Sequence, residues 1–386
     1  IESYIRIEFL EQGSPCKAAI QKQIETTLID VRTAVDDWEP MRERMFSVIA
    51  ELGVKPKGSS PDDVREVQEF LRWIYDNNFT FLGFQNLKFV GKGGDLKVVA
   101  KNNLSLGIMR NIEAPGIGLM RKMSDEVIGF LTKPSLLLVT KTDARAKVHR
   151  AVNMDVIGIK QIDPKGRVRG VWFFVGLFTS AAYNKSPRDI PLLRRRITKI
   201  LNKTGYARTS HDGRSLNNIL ETFPRDELFQ ASDAHLFNMA LGVLRLQEHQ
   251  RVALFVRSDR FQRFFSCLVY VPRERYTTEL RRCMQEILIN AFGGKDTQFF
   301  TQLGDSPLAR VHFVISTEIH KTPKFDVAKI EALLAEAAQT WSDRISEVLL
   351  DRHGESQGAA LFKSYGEAFG AGYKDRYLLT EVLEDI

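Results

Sequence analysis

Apolar and polar positions change period several times along this chain. Tyr4, Arg6 and Glu8 alternate with Ile5, Ile7 and Phe9, the spacing of a half-buried strand. Ile20, Ile24, Leu28, Val31 and Val35 then recur every three or four residues, predicting an amphipathic helix that Ser14 and Pro15 start. Asp36 to Pro40 interrupt it, and Pro40 suits the first turn of a second helix running to about Leu52. Residue 1 lies inside the alternating stretch and residue 386 closes the helix-like "LLTEVLEDI", so the pattern expects a piece of something longer.

"VKPKGSSPDD", Val54 to Asp63, reads as a linker ending in a helix cap. A helix follows from Asp63 to Asn77, with Val64, Val67, Phe70, Leu71 and Ile74 on one side. Two strand-like runs come next, joined through Gly91, Gly93 and Gly94, a hairpin signal. Further strands are predicted at Ser135 to Thr140, Ala146 to Ile159 and Val168 to Phe178, then a helix from Ile190 to Lys203. A five-stranded antiparallel sheet between helices is the expected architecture, and only "SLGIMRNIEAPGIG" fits neither period.

From His211 to Gln250 the pattern is helical: Leu216 to Glu221, a break at Pro224, then Asp226 to Leu246. Beyond it come strands Val252 to Val256 and Phe264 to Val271, helix Thr277 to Ala291, strands Thr297 to Leu303 and Ala309 to Ile315, and helix Asp326 to Leu350. From Phe264 onward this is βαββα, most of a ferredoxin-like split βαβ unit. Residues 354 to 386 read as helical around a Gly/Tyr-rich turn. The fold class is α+β and multidomain.

Composition narrows this little. The 386 residues are 44% hydrophobic and 27% charged, enough for two or three domains with real cores. The formal charge of +7 is thin for a chain of this length, and it permits an anionic partner without requiring one. Cys16, Cys267 and Cys283 are scattered and lack CxxC spacing, so neither a disulfide framework nor a zinc cluster is suggested. No apolar run reaches the ~18 residues of a membrane span. A soluble cytoplasmic protein is expected.

Candidate chemistry is sparse. Glycines 91, 93 and 94 are followed by a strand and not a helix, which favours a turn over a nucleotide fingerprint. Arg194 to Arg196, with Lys199 and Lys203, are expected to be the solvated face of an amphipathic helix in preference to a nucleic-acid grip. The seven histidines form neither HxxxH nor HExxH, and His211 and His235 read as cap or packing groups. No catalytic, cofactor-binding or metal-ligating residue is assigned.

Two stretches remain. Helix Thr277 to Ala291 follows a strand through "PRERY", where free N–H groups, a positive helix end and two arginines suit a carboxylate. Arg273, Arg275, Tyr276, Thr277 and Thr278 are the candidate effector-binding residues. In "LETFPRDELFQASDAHL", Leu220 to Leu236, adjacent acids Asp226 and Glu227 point about 100° apart on a helix and cannot flank one bond. That stretch reads as a joint, with Phe223, Pro224, Arg225 and Asp226 as the candidate hinge.

Five blocks in order resemble the N-terminal region of the large bacterial NAD-specific glutamate dehydrogenases: "LIDVRTAVDDWEPMRERM" (Leu28 to Met45), "FTFLGFQNLKF" (Phe79 to Phe89), "NNILETFPRDELFQ" (Asn217 to Gln230), "RSDRFQRFFSCLVYVPRERYTTELR" (Arg257 to Arg281) and "FGAGYKDRY" (Phe369 to Tyr377). The resemblance implies that residues 1–53 end a first ACT-like domain and that 62–205 form a PAS-like antiparallel sheet domain. It implies a helical connector over 206–250, a second ACT-like domain over 251–350, and a helical lead over 351–386 into a further ACT-like domain.

It also implies a parent enzyme that converts L-glutamate, NAD and water to 2-oxoglutarate, ammonium and NADH on a downstream catalytic domain. Nothing here matches that domain, so no cofactor is expected in this segment, with NAD confined to the parent. The expected role is regulation and homo-oligomer assembly in bacterial amino acid metabolism. Its partners would be the catalytic domain, other copies and an amino-acid effector acting allosterically through the ACT-like units. A pure scaffold is the alternative, and a nucleic-acid-binding regulator is the least favoured reading.

Overall fold

A computed structural model describes residues 17–52, 60–91, 97–100, 104–110, 129, 131–133, 135–304, 306–318, 323–377 and 379–386. The chain divides into two compact units, Ile1–Phe237 and Asn238–Ile386. The expected strand at residues 4–9, the glycines at 93 and 94, and residues 111–118 of the unassigned stretch lie outside the described residues.

The first unit opens with α1 (Lys17–Asp36) and α2 (Trp38–Glu51), turned at Asp37. The stripe predicted on α1 is only partly covered, since Leu28 and Val35 are 58% and 67% exposed. Ala34, Met41, Met45 and Val48 are buried instead, because the corner itself is what docks. Asp37 accepts from Gly107 N at 2.6 Å and from the Arg110 guanidinium, with Arg110 Nη2 at 2.7 Å from Oδ1. These bonds pin the helix pair beside the sheet.

α3 (Pro61–Trp73) starts at Ser60 with a full capping box, Ser60 and Asp63 each bonding the other's backbone N–H. After a π-turn over Ile74–Asn78 come β1 (Phe79–Val90), β2 (Lys97–Ala100), the two-residue β3 (Leu106–Gly107), β4 (Leu137–Arg145), β5 (Asn153–Ile162) and β6 (Val168–Phe178). The sheet order is β2-β1-β6-β5-β4, with β3 beside β1, and every pairing is antiparallel. One expectation is corrected: residues 146–152 are loop and not strand. Arg145 pairs with Asn153, so the chain must reverse between them, and Ala146 N donates to Val152 O at 2.8 Å to close the reversal.

α4 (Ser180–Asn184), α5 (Leu193–Thr204), α6 (His211–Thr222), α7 (Arg225–Gln230) and α8 (Asp233–Glu248) follow. The single helix expected from Asp226 to Leu246 is therefore two. Arg196 takes the carbonyls of Leu228, Phe229 and Ala231 that a continuing helix would need.

The second unit holds β7 (Ala253–Ser258), β8 (Phe264–Pro272), α9 (Thr278–Phe292), β9 (Asp296–Gln302), β10 (Leu308–Ser316) and α10 (Val327–Ala337). Its sheet runs β7-β8-β10-β9, all antiparallel. β8, β10 and β9 form the expected split unit. β7, arriving from the front of the chain, takes the outer place beside β8 that a ferredoxin-like fold otherwise fills from its end. An apolar cluster fills the space between sheet and helices: Cys267, Val269, Phe313, Met284, Leu288 and Leu334 are among its fully buried members.

The helix expected from Asp326 to Leu350 also breaks. A second capping box, Thr340 with Asp343, starts α11 (Trp341–Tyr365), which precedes α12 (Ala371–Arg376) and α13 (Leu379–Asp385). α11 itself folds back at Gly354 (φ 75°), and Gly358 packs on the backbone of Leu349: a Cβ there would lie 2.6 Å from Leu349 O.

Candidate functional site

The joint at Leu220 to Leu236 is held from several sides. Ser210 caps α6 through Gly213 N at 3.1 Å, and the helix ends at buried Phe223 before Pro224. Arg225 donates to the carbonyls of Glu221 (2.9 Å), Phe223 (3.1 Å) and Lys185 (3.0 Å), knitting α6 to the chain after α4. Phe229 stacks flat on Phe178 at 4.9 Å and meets Phe70 at 5.6 Å. Among the four hinge residues, Phe223 is buried and Asp226 enters a buried ion cluster.

That cluster is the most charged feature of the first unit's interior. β4 and β5 place Lys141 directly opposite Asp155, and Lys141 Nζ lies 2.7 Å from Asp155 Oδ1 and 3.2 Å from Asp226 Oδ1. Asp155 Oδ2 accepts from Phe178 N at 3.0 Å, and Tyr183 OH donates to Asp226 at 3.3 Å. Arg150 donates to Phe178 O at 2.5 Å and lies 5.9 Å from the Tyr183 ring centroid. Burial alone would push the Lys141 pKa down, but Asp155 and Asp226 outweigh it and hold the ammonium well above its usual range. Burial, with the Asp226 charge adding to it, raises Asp155 despite its lysine. Two carboxylates share one ammonium, so one of them is under-compensated. Burial, followed by the neighbouring carboxylates, raises the Tyr183 phenol. The arrangement locks α7 to the sheet through a charge that is costly to expose or unpair.

The effector candidates sit at the start of α9. Arg273 and Arg275 lie in a 3₁₀ turn, where Arg273 Nη1 donates to Gly304 O at 2.7 Å and Arg275 meets Asp343 at 3.2 Å. Tyr276 OH bonds Thr301 Oγ1 at 2.9 Å. Thr277 caps the helix through Leu280 N at 3.1 Å, and Thr278 is the first residue of α9. Glu279 stands in that first turn, its carboxyl held below the usual range by its own backbone N–H and by the Thr277 hydroxyl. Thr277, Leu280 and Arg275 line a cleft of about 340 Å³ with Cys283 and Thr340. The five candidates are thus one local group, and both arginines already bond the protein's own oxygens.

The basic helix keeps the solvated face expected of it at Arg195, Lys199 and Lys203, and four of its cations are also paired with carboxylates. Arg194 meets Glu66 (2.7 Å) and Glu69, Arg195 meets Asp63 (2.8 Å), and Arg196 and Lys199 share Asp233 (3.0 and 2.7 Å). α5 is a clasp between α3 and the start of α8. The sequence reading passed over Lys141, Asp155, Glu66 and Asp37. A lysine and an aspartate inside neighbouring β-branched runs were the available signal for the first two; their register was not readable. Among the described residues no group of histidine, cysteine and carboxylate side chains could hold a metal ion, and no helix is long and apolar enough to cross a membrane.

Residues 253–342 match the family model of the glutamate dehydrogenase ACT2 domain. Residues 190–249 and 348–386 match those of glutamate dehydrogenase helical motifs 1 and 2. The NAD-specific glutamate dehydrogenase of Halomonas elongata is 34% identical over 389 residues, covering 100% of this chain and 24% of the relative. That of Pseudomonas aeruginosa is 33% identical over 362 residues (93% and 22%), and that of Mycobacterium tuberculosis 29% over 382 (96% and 22%). The chain spans about a quarter of the length of these relatives.

Proposed function

We propose, since this chain belongs to the NAD-specific glutamate dehydrogenase family, that it is a non-catalytic regulatory and oligomerisation region of such an enzyme. The observation that carries the reading is the contiguous order of one ACT domain between two helical motifs. The parent would use NAD to deaminate L-glutamate on a catalytic domain elsewhere in the cytoplasmic enzyme. The strand order β2-β1-β6-β5-β4 supports a PAS-like reading of residues 62–205, because it sets a first hairpin beside the last strand of a three-strand meander. The boundaries at 53, 205, 250 and 350 are carried into this proposal unchanged.

Its mechanism is a bias between arrangements of these domains, passed through α6, α7 and α8, whose packing is fixed by charge pairs. Purified residues 1–386 are expected to self-associate in sedimentation and to form no NADH from glutamate and NAD. Glutamate-dependent absorbance at 340 nm from this chain would refute the non-catalytic role, and a monomer at all concentrations would refute assembly.

Effector sensing through Arg273, Arg275 and Tyr276 to Thr278 is the finer form of the proposal. A scaffold reading has its own support, since Gly304 O and Asp343 already occupy the two arginines. Calorimetry with the twenty amino acids separates them. Saturable binding weakened about tenfold or more by Arg273→Ala, the scale of one charged hydrogen bond, supports sensing; no binding supports the scaffold. The ion pairs along α5 weigh against nucleic acid as a partner.

A further inference from the structure

The first unit contains an open cleft of about 940 Å³ between α3, β4, α5 and α7, well apart from the effector candidates in sequence and unit. Its volume lies in the range of small-molecule sites. β4 is the outer strand of its sheet, and its alternating burial leaves Leu137 and Val139 half-exposed on the cleft side while Leu138 and Thr140 are buried behind. Val67 of α3 and Phe229 of α7 extend this apolar floor.

Opposite it stands the polar face of α5. Arg195, Thr198, Lys199 and Asn202 recur at helical spacing, all exposed and all lining the cleft. Charge is unevenly matched along the rim. At one end two carboxylates, Glu66 and Glu69, serve the single cation Arg194. At the other end one carboxylate, Asp233, serves two cations, Arg196 and Lys199. The Lys199 side chain is 70% exposed there, and such a solvated pair is held by little energy. Arg195 is paired with Asp63 between these ends, so four carboxylates meet four cations along the rim and the excess of positive charge is local to the Lys199 end, beside the apolar floor.

We propose that this cleft binds a small carboxylate carrying an apolar body, its anion at Lys199 with Arg195, Thr198 and Asn202, and its body on Leu137, Val139 and Phe229. One added negative charge balances the Lys199 end, whereas a neutral ligand leaves it unmatched and a cation is repelled. Leu137 and Val139 share their face of β4 with Lys141, the lysine that holds Asp226 of α7. Occupancy therefore loads the strand that holds α7, which places a ligand-dependent input at the joint itself.

The test uses 4-phenylbutyrate and its neutral amide with purified residues 1–386 in titration calorimetry. Saturable binding of the acid is expected, with the amide about tenfold weaker or more, the scale of one lost charged hydrogen bond. Lys199→Gln, an exposed substitution whose fold is checked by circular dichroism, is expected to weaken the acid similarly, and added salt to weaken it further. Arg273→Ala in the other unit should leave the affinity unchanged. Equal affinity for acid and amide, unaltered affinity in Lys199→Gln, loss of binding in Arg273→Ala, or no saturable binding at millimolar acid would each overturn the proposal.

Discussion

The two sheets of this protein are held by different physics. The second unit's sheet meets its helices across a cluster of apolar side chains, with one buried ion pair, Asp259–Arg263, in its β7–β8 turn and a buried Ser266–His312 bond between strands, so most of its stability follows buried area and packing. The first unit's sheet buries Asp155, Lys160, Asn86 and Gln161 among its strands and leaves the Lys141 side chain 13% exposed, and its surrounding helices are fastened by the desolvated Asp226–Lys141 pair and by the more solvated pairs Glu66–Arg194 and Asp37–Arg110. Apolar burial tolerates small shifts of direction, while a desolvated ion pair does not, because misalignment leaves an uncompensated charge. Geometry is therefore most strictly specified where the chain passes through its joint.

The widest contrast is expected from one deletion in each sheet. Lys141→Ala strands two buried carboxylates and should cost about 3–5 kcal/mol. Phe313→Ala should cost about as much, ~3–5 kcal/mol, by leaving a cavity. pH separates them in urea titrations: acidification should relieve the first by protonating Asp155, whose pKa is raised, and leave the second unmoved. Equal pH dependence of both variants would erase the distinction.

Gly358→Ala should cost about 1–3 kcal/mol, the scale of overpacking, since its Cβ meets the backbone at Leu349. Its effect should be confined to the second unit in hydrogen-exchange mass spectrometry. Ser210→Ala removes the α6 cap and should cost about 1 kcal/mol, read as faster exchange at residues 211–214.

The smallest step per group comes on acidification of the unsubstituted chain. Burial raises Glu66, but bonds from Arg194 and Leu192 N outweigh it; Arg110 bonds lower Asp37 against a smaller burial effect. A depressed folded pKa stabilises fully above the ordinary carboxylate range and is lost as pH falls through the folded value. Asp155, raised, acts in the opposite sense, gaining relative stability on protonation. Lys141, raised, keeps its contribution through neutral pH and loses it only in strong alkali. First-unit stability should therefore fall below about pH 4, and the second unit should weaken in the same range, since Glu279 and Asp343 are also held below the ordinary carboxylate range; urea titrations unchanged on acidification through that range would contradict this.

Much of the fold was legible from local pattern. Period-two and period-four runs located the helices and strands of both units, and the linker "VKPKGSSPDD" was expected to end in a helix cap, with the helix from Asp63, two residues after α3 begins. The errors share a cause. Asp226 to Leu246 and Asp326 to Leu350 keep a helical period throughout, yet each is broken, one where Arg196 captures carbonyls from another helix and one at the Thr340 capping box. The candidate site was legible as a group of neighbours, Arg273 to Thr278, but their partners Gly304 and Asp343 were not.

Sequence alone determined the element types, the split βαβ order and the family resemblance, because hydrophobic spacing, caps and ordered motif blocks are properties of contiguous residues. Only the tertiary structure decided which charges meet. Asp37 finds Arg110 73 positions away, Glu66 finds Arg194 at 128, and Lys141 faces Asp155 through strand register. Coulombic and hydrogen-bond partners are chosen by distance in space, and over such separations spacing along the chain carries no information about that distance.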